Sequence, residues 1–214
     1  MTRLESRARL FAFCLSALAG FVDAIGFIQS GGFFVSFMSG NSTRLGVGVA
    51  HHATDAAAAA AIILAFLCGV VGGGLIGARF EARRPAAVLL FIAVLLGFAA
   101  LLRLLGSLAP AIALLALAMG SANAVFERDG EVRFGVTYMT GSLVRVGNGI
   151  ASTILGRDGN GWASYLLLWL AFLAGAVLGA LLFGSGNSTT LWAASGVALL
   201  LGLVSLKLFP SPAS

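Results

Sequence analysis

The 214 residues are 59% hydrophobic and only 10% charged, with a mean hydropathy of +1.02, whereas a soluble domain carries about a quarter charged residues. A water-soluble fold could not hide that much apolar surface, and 29 glycines against 4 prolines suit helices packed through small side chains in lipid rather than disorder. The net charge of +5 does not point to nucleic acid, because the cations stand singly or in threes at the ends of apolar runs, as in cytoplasm-facing loops.

Arg3, Arg7 and Arg9 precede the first apolar run, Leu10 to Ile28. Its small-residue stretch Ala17-Leu18-Ala19-Gly20 could serve as a signal-peptide cleavage site, but the run continues to Ile28, so an uncleaved span is expected. Asp23 is the only one of the eight acidic residues inside an apolar span, where a carboxylate costs about 3 kcal/mol on insertion scales. Gly32 to Ala50 is apolar but broken by Gly, Ser, Asn and Arg. His51, His52 and Asp55 follow, but adjacent histidines point to different helix faces and no metal is assigned to them.

Further spans are expected at Ala56 to Ala78, Ala86 to Leu105, Pro110 to Phe126, Trp162 to Phe183 and Leu191 to Leu208, six in all with the first. A second broken segment, Tyr138 to Leu155, separates the fourth span from the fifth. Gly69, Gly73 and Gly77 fall on one face, as do Gly175 and Gly179, and such faces let backbones approach closely. Cys14 and Cys68 read as packing residues. Trp162, Tyr165 and Trp169 read as interfacial anchors.

The two broken segments are copies. Met38-Ser39-Gly40-Asn41-Ser42-Thr43-Arg44-Leu45-Gly46 returns 101 positions later as Met139-Thr140-Gly141-Ser142-Leu143-Val144-Arg145-Val146-Gly147. Gly20, Asp23, Ala24 and Ile25 match Gly120, Asn123, Ala124 and Val125, and Phe66-Leu67-Cys68-Gly69 matches Phe172-Leu173-Ala174-Gly175. The expected fold is therefore an all-α membrane protein in a single membrane domain. Six transmembrane helices form two inverted three-helix repeats, 10–105 and 110–208, each with a broken motif segment at membrane depth. Three spans is an odd number, so the second copy enters from the opposite side, the plan of many secondary transporters.

With the broken segments not crossing and the N-terminus inside, Arg3, Arg7, Arg9, Arg79, Arg83, Arg84, Arg128, Arg133, Arg145, Arg157 and Lys207 fall on the cytoplasmic side. Only Arg44 and Arg103 fall outside. Crossing by both segments would turn Arg79, Arg83 and Arg84 outward, against the positive-inside rule. Both termini are expected in the cytoplasm.

Gly20-Phe21-Val22-Asp23-Ala24-Ile25-Gly26-Phe27, followed by the block from Met38, resembles the YoaK-like family of bacterial multi-pass membrane proteins, a domain of unknown function. The likeness covers essentially the whole chain, with Ser39 where the family more often has Thr. It implies an inner-membrane protein and carries no substrate with it.

The chemistry must come from Asp23, Gly40, Asn41, Arg44, Asn123, Gly141, Ser142 and Arg145, the expected substrate-binding set. Asn41 and Ser142 are cap-type residues for helix starts, and a helix start beside a guanidinium is an anion site. The alternative is structural: Asp23 paired with Arg44, and Arg145 held by Asn123 or by carbonyls. No nucleophile elbow, zincin motif or aspartate pair marks an enzyme, and no cofactor is expected. The expectation is a secondary transporter or exporter of a small anionic or zwitterionic molecule, its site where the two motifs meet near the midplane. A membrane scaffold or narrow channel is the alternative, and whether the chain forms a homo-oligomer is open.

Overall fold

The computed structural model describes residues 3–128, 131–132, 137–157, 161–183 and 189–209. Among them are eight α-helices: α1 Arg3–Gln29, α2 Met38–His51, α3 Ala53–Arg79, α4 Arg84–Leu104, α5 Leu108–Ala122, α6 Met139–Ile154, α7 Trp162–Phe183 and α8 Thr189–Leu208. In the α5–α6 connection Glu127 and Arg128 pair antiparallel with Val132 and Glu131. Five helices, α1, α3, α4, α7 and α8, are long and apolar enough to cross a membrane.

The fourth expected span, Pro110 to Phe126, differs. Residues 110–126 are uniformly apolar apart from Ser121 and Asn123, yet α5 stops at Ala122 and the chain turns through Asn123, Ala124 and Val125. Fifteen helical residues reach about 22 Å, short of a hydrocarbon core of about 30 Å. The motif segments also differ from expectation. Each is one continuous helix, α2 or α6, preceded by a non-helical stretch, so the break lies before the motif and not within it.

Helix directions follow from which residues meet. Arg9 donates to Ser164 Oγ at 3.4 Å and Ser16 to the Leu168 carbonyl at 3.0 Å, while Gly20 lies against Phe172 and Gly179 against Phe21. The numbers rise together, so α1 and α7 run parallel. Between α4 and α8 they run oppositely: Ser195 donates to the Ala93 carbonyl at 2.7 Å and Gly202 faces Leu89, so this pair is antiparallel. Phe11 meets Phe126 and Phe209 edge-on, at centroid distances of 5.9 and 5.7 Å. One end of the bundle therefore gathers the start of α1, the ends of α5 and α8 and the start of α7.

In lipid the attraction between helices comes from close packing, because the hydrophobic effect no longer distinguishes neighbour from solvent. Glycines set that distance here. A Cβ on Gly20 would collide with the Phe172 backbone, and one on Gly175 with the Ala17 backbone; between α3 and α5, Gly120 meets the Phe66 backbone and Gly69 that of Leu117 in the same way. Ser121 Oγ adds a bond to the Gly69 carbonyl at 2.9 Å. Cys14 and Cys68, expected to pack, instead lie on exposed helix faces.

Substitution should sort these glycines. Gly175→Val drives two backbones apart and is expected to cost about 1–3 kcal/mol or more, seen as a lowered melting temperature in detergent. Gly141→Ala meets nothing within 4 Å and gains helix propensity, so its melting temperature should hold or rise.

Candidate functional site

The region around the first motif is built by three side chains that hold a non-helical loop. After α1 ends, Gly31 and Gly32 take positive φ values of 73° and 107°, a conformation that L side chains resist, and the chain turns back toward α1. Residues 33–37 then run along the helix end without backbone ladders of their own. Peptide groups without partners are costly in a membrane, so each must find one.

Asp23 supplies two acceptor contacts. Its Oδ1 accepts the Val35 N–H at 2.9 Å and the Ser36 N–H at 2.7 Å, and Val35 is fully buried against Gly26. Asn41 supplies the next pair: Oδ1 accepts the Phe34 N–H at 3.0 Å and Nδ2 donates to the Phe34 carbonyl at 2.6 Å. Ser30 Oγ accepts the Phe33 N–H at 2.9 Å. The expected capping role of Asn41 is thus corrected. α2 begins at Met38 with no side-chain cap, and Asn41, one turn inside and buried, clamps the loop instead.

Arg44 does not pair with Asp23. Its guanidinium lies 4.6 Å from the centroid of the Phe33 ring and against Gly32, while Asp23 is engaged by backbone amides and the Ser36 side chain. Gly40 packs under the Phe34 and Phe37 rings, which stand edge-on at 5.3 Å.

The second motif repeats the outline with weaker fastenings. Asn123, the counterpart of Asp23, accepts one bond from Thr137 Oγ1 at 2.8 Å and donates back to the Met119 and Gly120 carbonyls at 3.3 and 3.2 Å. Ser142 does not cap α6, which starts at Met139; its hydroxyl reaches back to the Tyr138 carbonyl at 3.4 Å. Among the described residues Arg145 is held neither by Asn123 nor by carbonyls: it donates to Tyr165 Oη at 2.7 Å and lies 4.9 Å from that ring's centroid. Gly141 is open to its surroundings. Arg128 is in the described connection, and Arg133 lies outside the described residues.

The two motifs do not meet. Asn123 stands three residues from Phe126, which touches Phe11, whereas Asp23 is twelve residues further along α1, about 18 Å. α2 folds onto the start of α3, where Gly48 abuts Ala56, and α6 onto the start of α7, where Gly149 abuts Trp162. Asp23, Gly40, Asn41 and Arg44 therefore gather at one end of the bundle, and Asn123, Gly141, Ser142 and Arg145 at the other. A shared site at mid-depth, the sequence expectation, is not what the helix directions produce.

Sequence reasoning missed Ser36, Thr137 and Tyr165 as partners. Ser36 and Thr137 are themselves a repeat pair two residues ahead of the copied block, so a longer reading of the repeat would have found them. Nothing in the sequence ties Tyr165 to Arg145.

A bundle of long apolar helices whose polar loops are fastened by buried side chains defines a multi-pass α-helical membrane protein. Residues 11–204 match the family model described as "Protein of unknown function (DUF1275)". The chain is also 39% identical over 188 residues, 87% of its own length and 81% of the relative's, to the "UPF0700 transmembrane protein RA0705" of Rhizobium meliloti (strain 1021). No solved structure matches it. The chain belongs to the DUF1275 family, and the expected membership of a membrane family of unknown function is borne out.

If Asp23 holds the loop by its acceptor oxygen, Asp23→Ala leaves two buried N–H groups unpaired and should cost about 2–4 kcal/mol. Asp23→Asn keeps an oxygen, as Asn123 does in the other half, and should cost less than half as much. Chemical unfolding in mild detergent reads both.

Proposed function

We propose that the protein is a secondary transporter of a small anionic or zwitterionic molecule in the bacterial inner membrane, built from two inverted repeats with both termini in the cytoplasm. The observation that carries the reading is the exchange of partners between halves. α1 runs beside α7 through Gly20 and Gly175, and their repeat mates make the equivalent pair, α5 beside α3, through Gly120 and Gly69. The meeting of Phe11 with Phe126 sets the start of α1 beside the end of α5, so the corresponding helices of the two halves run in opposite senses. That relation is the one inverted-repeat transporters use for alternating access.

On this reading α5, together with the turn that follows it, makes the sixth crossing despite its length, α2 and α6 do not cross, and each motif forms the mouth of one access state. Arg44 at one mouth and Arg145 at the other present guanidinium groups that stack on aromatic rings and keep donors for a carboxylate or phosphate. The substrate passes between mouths as the halves exchange conformations, so the two arginines act in turn. No covalent chemistry is assigned to the chain. A membrane scaffold without flux is the competing reading.

Proteoliposome uptake of phosphate, small carboxylates and amino acids tests the proposal. Wild type should accumulate one class, and Arg44→Gln should raise its KM about tenfold or more, the loss of a charge-assisted hydrogen bond, without lowering the melting temperature. Flux in no class would favour the scaffold. Orientation is read separately: reporters fused after Ser107 and after Asn187 should both report the external side, and a cytoplasmic signal from either would overturn the topology.

A further inference from the structure

The outer face of the α4–α8 pair carries a furrow that the transport reading does not use. Two cavities of about 360 and 200 Å³ lie end to end along the helix pair, with Leu90 and Leu199 lining both. Both leucines are exposed, which opens the furrow sideways to the hydrocarbon. Its upper end reaches Trp192, and its lower end reaches Phe80, Leu206 and Arg83. Ser195 is the one polar residue lining the upper part, and its hydroxyl is turned inward onto the Ala93 carbonyl at 2.7 Å.

The mouth has the opposite character. Arg83 is exposed and is, among the described residues, the only charged one lining the lower cavity. Glu81, in the same turn, is not among the lining residues. Arg79, whose guanidinium lies 5.6 Å from the centroid of the Phe80 ring, adds a second positive charge close by. From Arg83 the furrow runs along α4 as far as Leu101, about 27 Å of helix and more than the depth of one leaflet, about 15 Å.

We propose that this furrow is a binding site for an anionic phospholipid, with one acyl chain lying along Leu90 and Leu199 and the phosphate held by Arg83. An apolar groove of this length fits a hydrocarbon chain, and a guanidinium at its mouth favours a phosphodiester carrying net negative charge over a zwitterionic headgroup. The site does not depend on which substrate, if any, the protein moves.

Native mass spectrometry of detergent-purified, delipidated protein, given equal amounts of phosphatidylglycerol and phosphatidylcholine of identical chains, tests it. Wild type should retain one phosphatidylglycerol in preference to phosphatidylcholine. Arg83→Gln should lower that preference about fivefold, the effect of one surface cation, and Leu90→Trp should reduce retention of both lipids by filling the furrow. Should Leu90→Trp fail to fold, the exposed Arg83→Gln variant still decides the matter. Equal retention of the two lipids by wild type overturns the proposal, as does an undiminished preference in Arg83→Gln. A lipid-free dimer whose formation Leu90→Trp abolishes would assign the furrow to a second copy and overturn it too.

Discussion

Backbone meets backbone where α1 crosses α7 and where α3 crosses α5, and that contact sets the remaining geometry. Gly20 and Gly175 leave no room for a Cβ between α1 and α7, nor do Gly120 and Gly69 between α5 and α3. Dispersion forces fall off within fractions of an ångström, so helices this close gain attraction that longer side chains at the same positions would forfeit in lipid. Gly69 meets Leu117 and Gly73 meets Ser121, so α3 and α5 are parallel as α1 and α7 are, and the loop after α1 and the loop after α5 are carried to opposite ends. The two motif helices, α2 and α6, then fold back onto different partners.

Position in the bundle explains why the polar side chains do what they do. A non-helical segment beside a membrane helix must satisfy its N–H and C=O groups from within the protein. Asp23, Ser30 and Asn41 do this for residues 33–36, which gives a reason for a carboxylate inside the most expensive solvent in the cell. Asp23 is held by dipoles and not by a countercharge, and this leaves Arg44 to stack on Phe33. An arginine freed from an internal ion pair can meet an anion from outside the chain.

Much of the fold was legible in the sequence, because apolar length and glycine spacing report directly on spans and contact faces. Gly69, Gly175 and their neighbours marked where helices would touch, but not which helix lay opposite, since lipid imposes no pairing rule that one strand of sequence can display. The end of α5 at Ala122 was hidden in an apolar run that reads on to Phe126. Just past that end Asn123 accepts a bond from Thr137, fourteen residues away, a partner that no local pattern displays. Asn41 and Ser142 carried the residue types of helix caps, yet loop geometry used Asn41 for the Phe34 peptide and set both helix starts three residues earlier. Local propensity yielded to tertiary partners at these points.

The two motif regions share a framework and differ in their fastenings. Asp23 accepts two backbone N–H bonds, from Val35 and Ser36, while Asn123 accepts one hydroxyl, from Thr137. Arg44 lies over a ring of its own loop, whereas Arg145 lies over Tyr165 on the neighbouring helix α7. On the transport reading proposed above, opening the second mouth would mean parting α6 from α7, and opening the first would mean releasing a loop from α1. Two mouths opening by different motions at different cost would give such a transporter a preferred resting state. A ligand that bound one mouth better than the other could shift that preference only by its difference in affinity for the two.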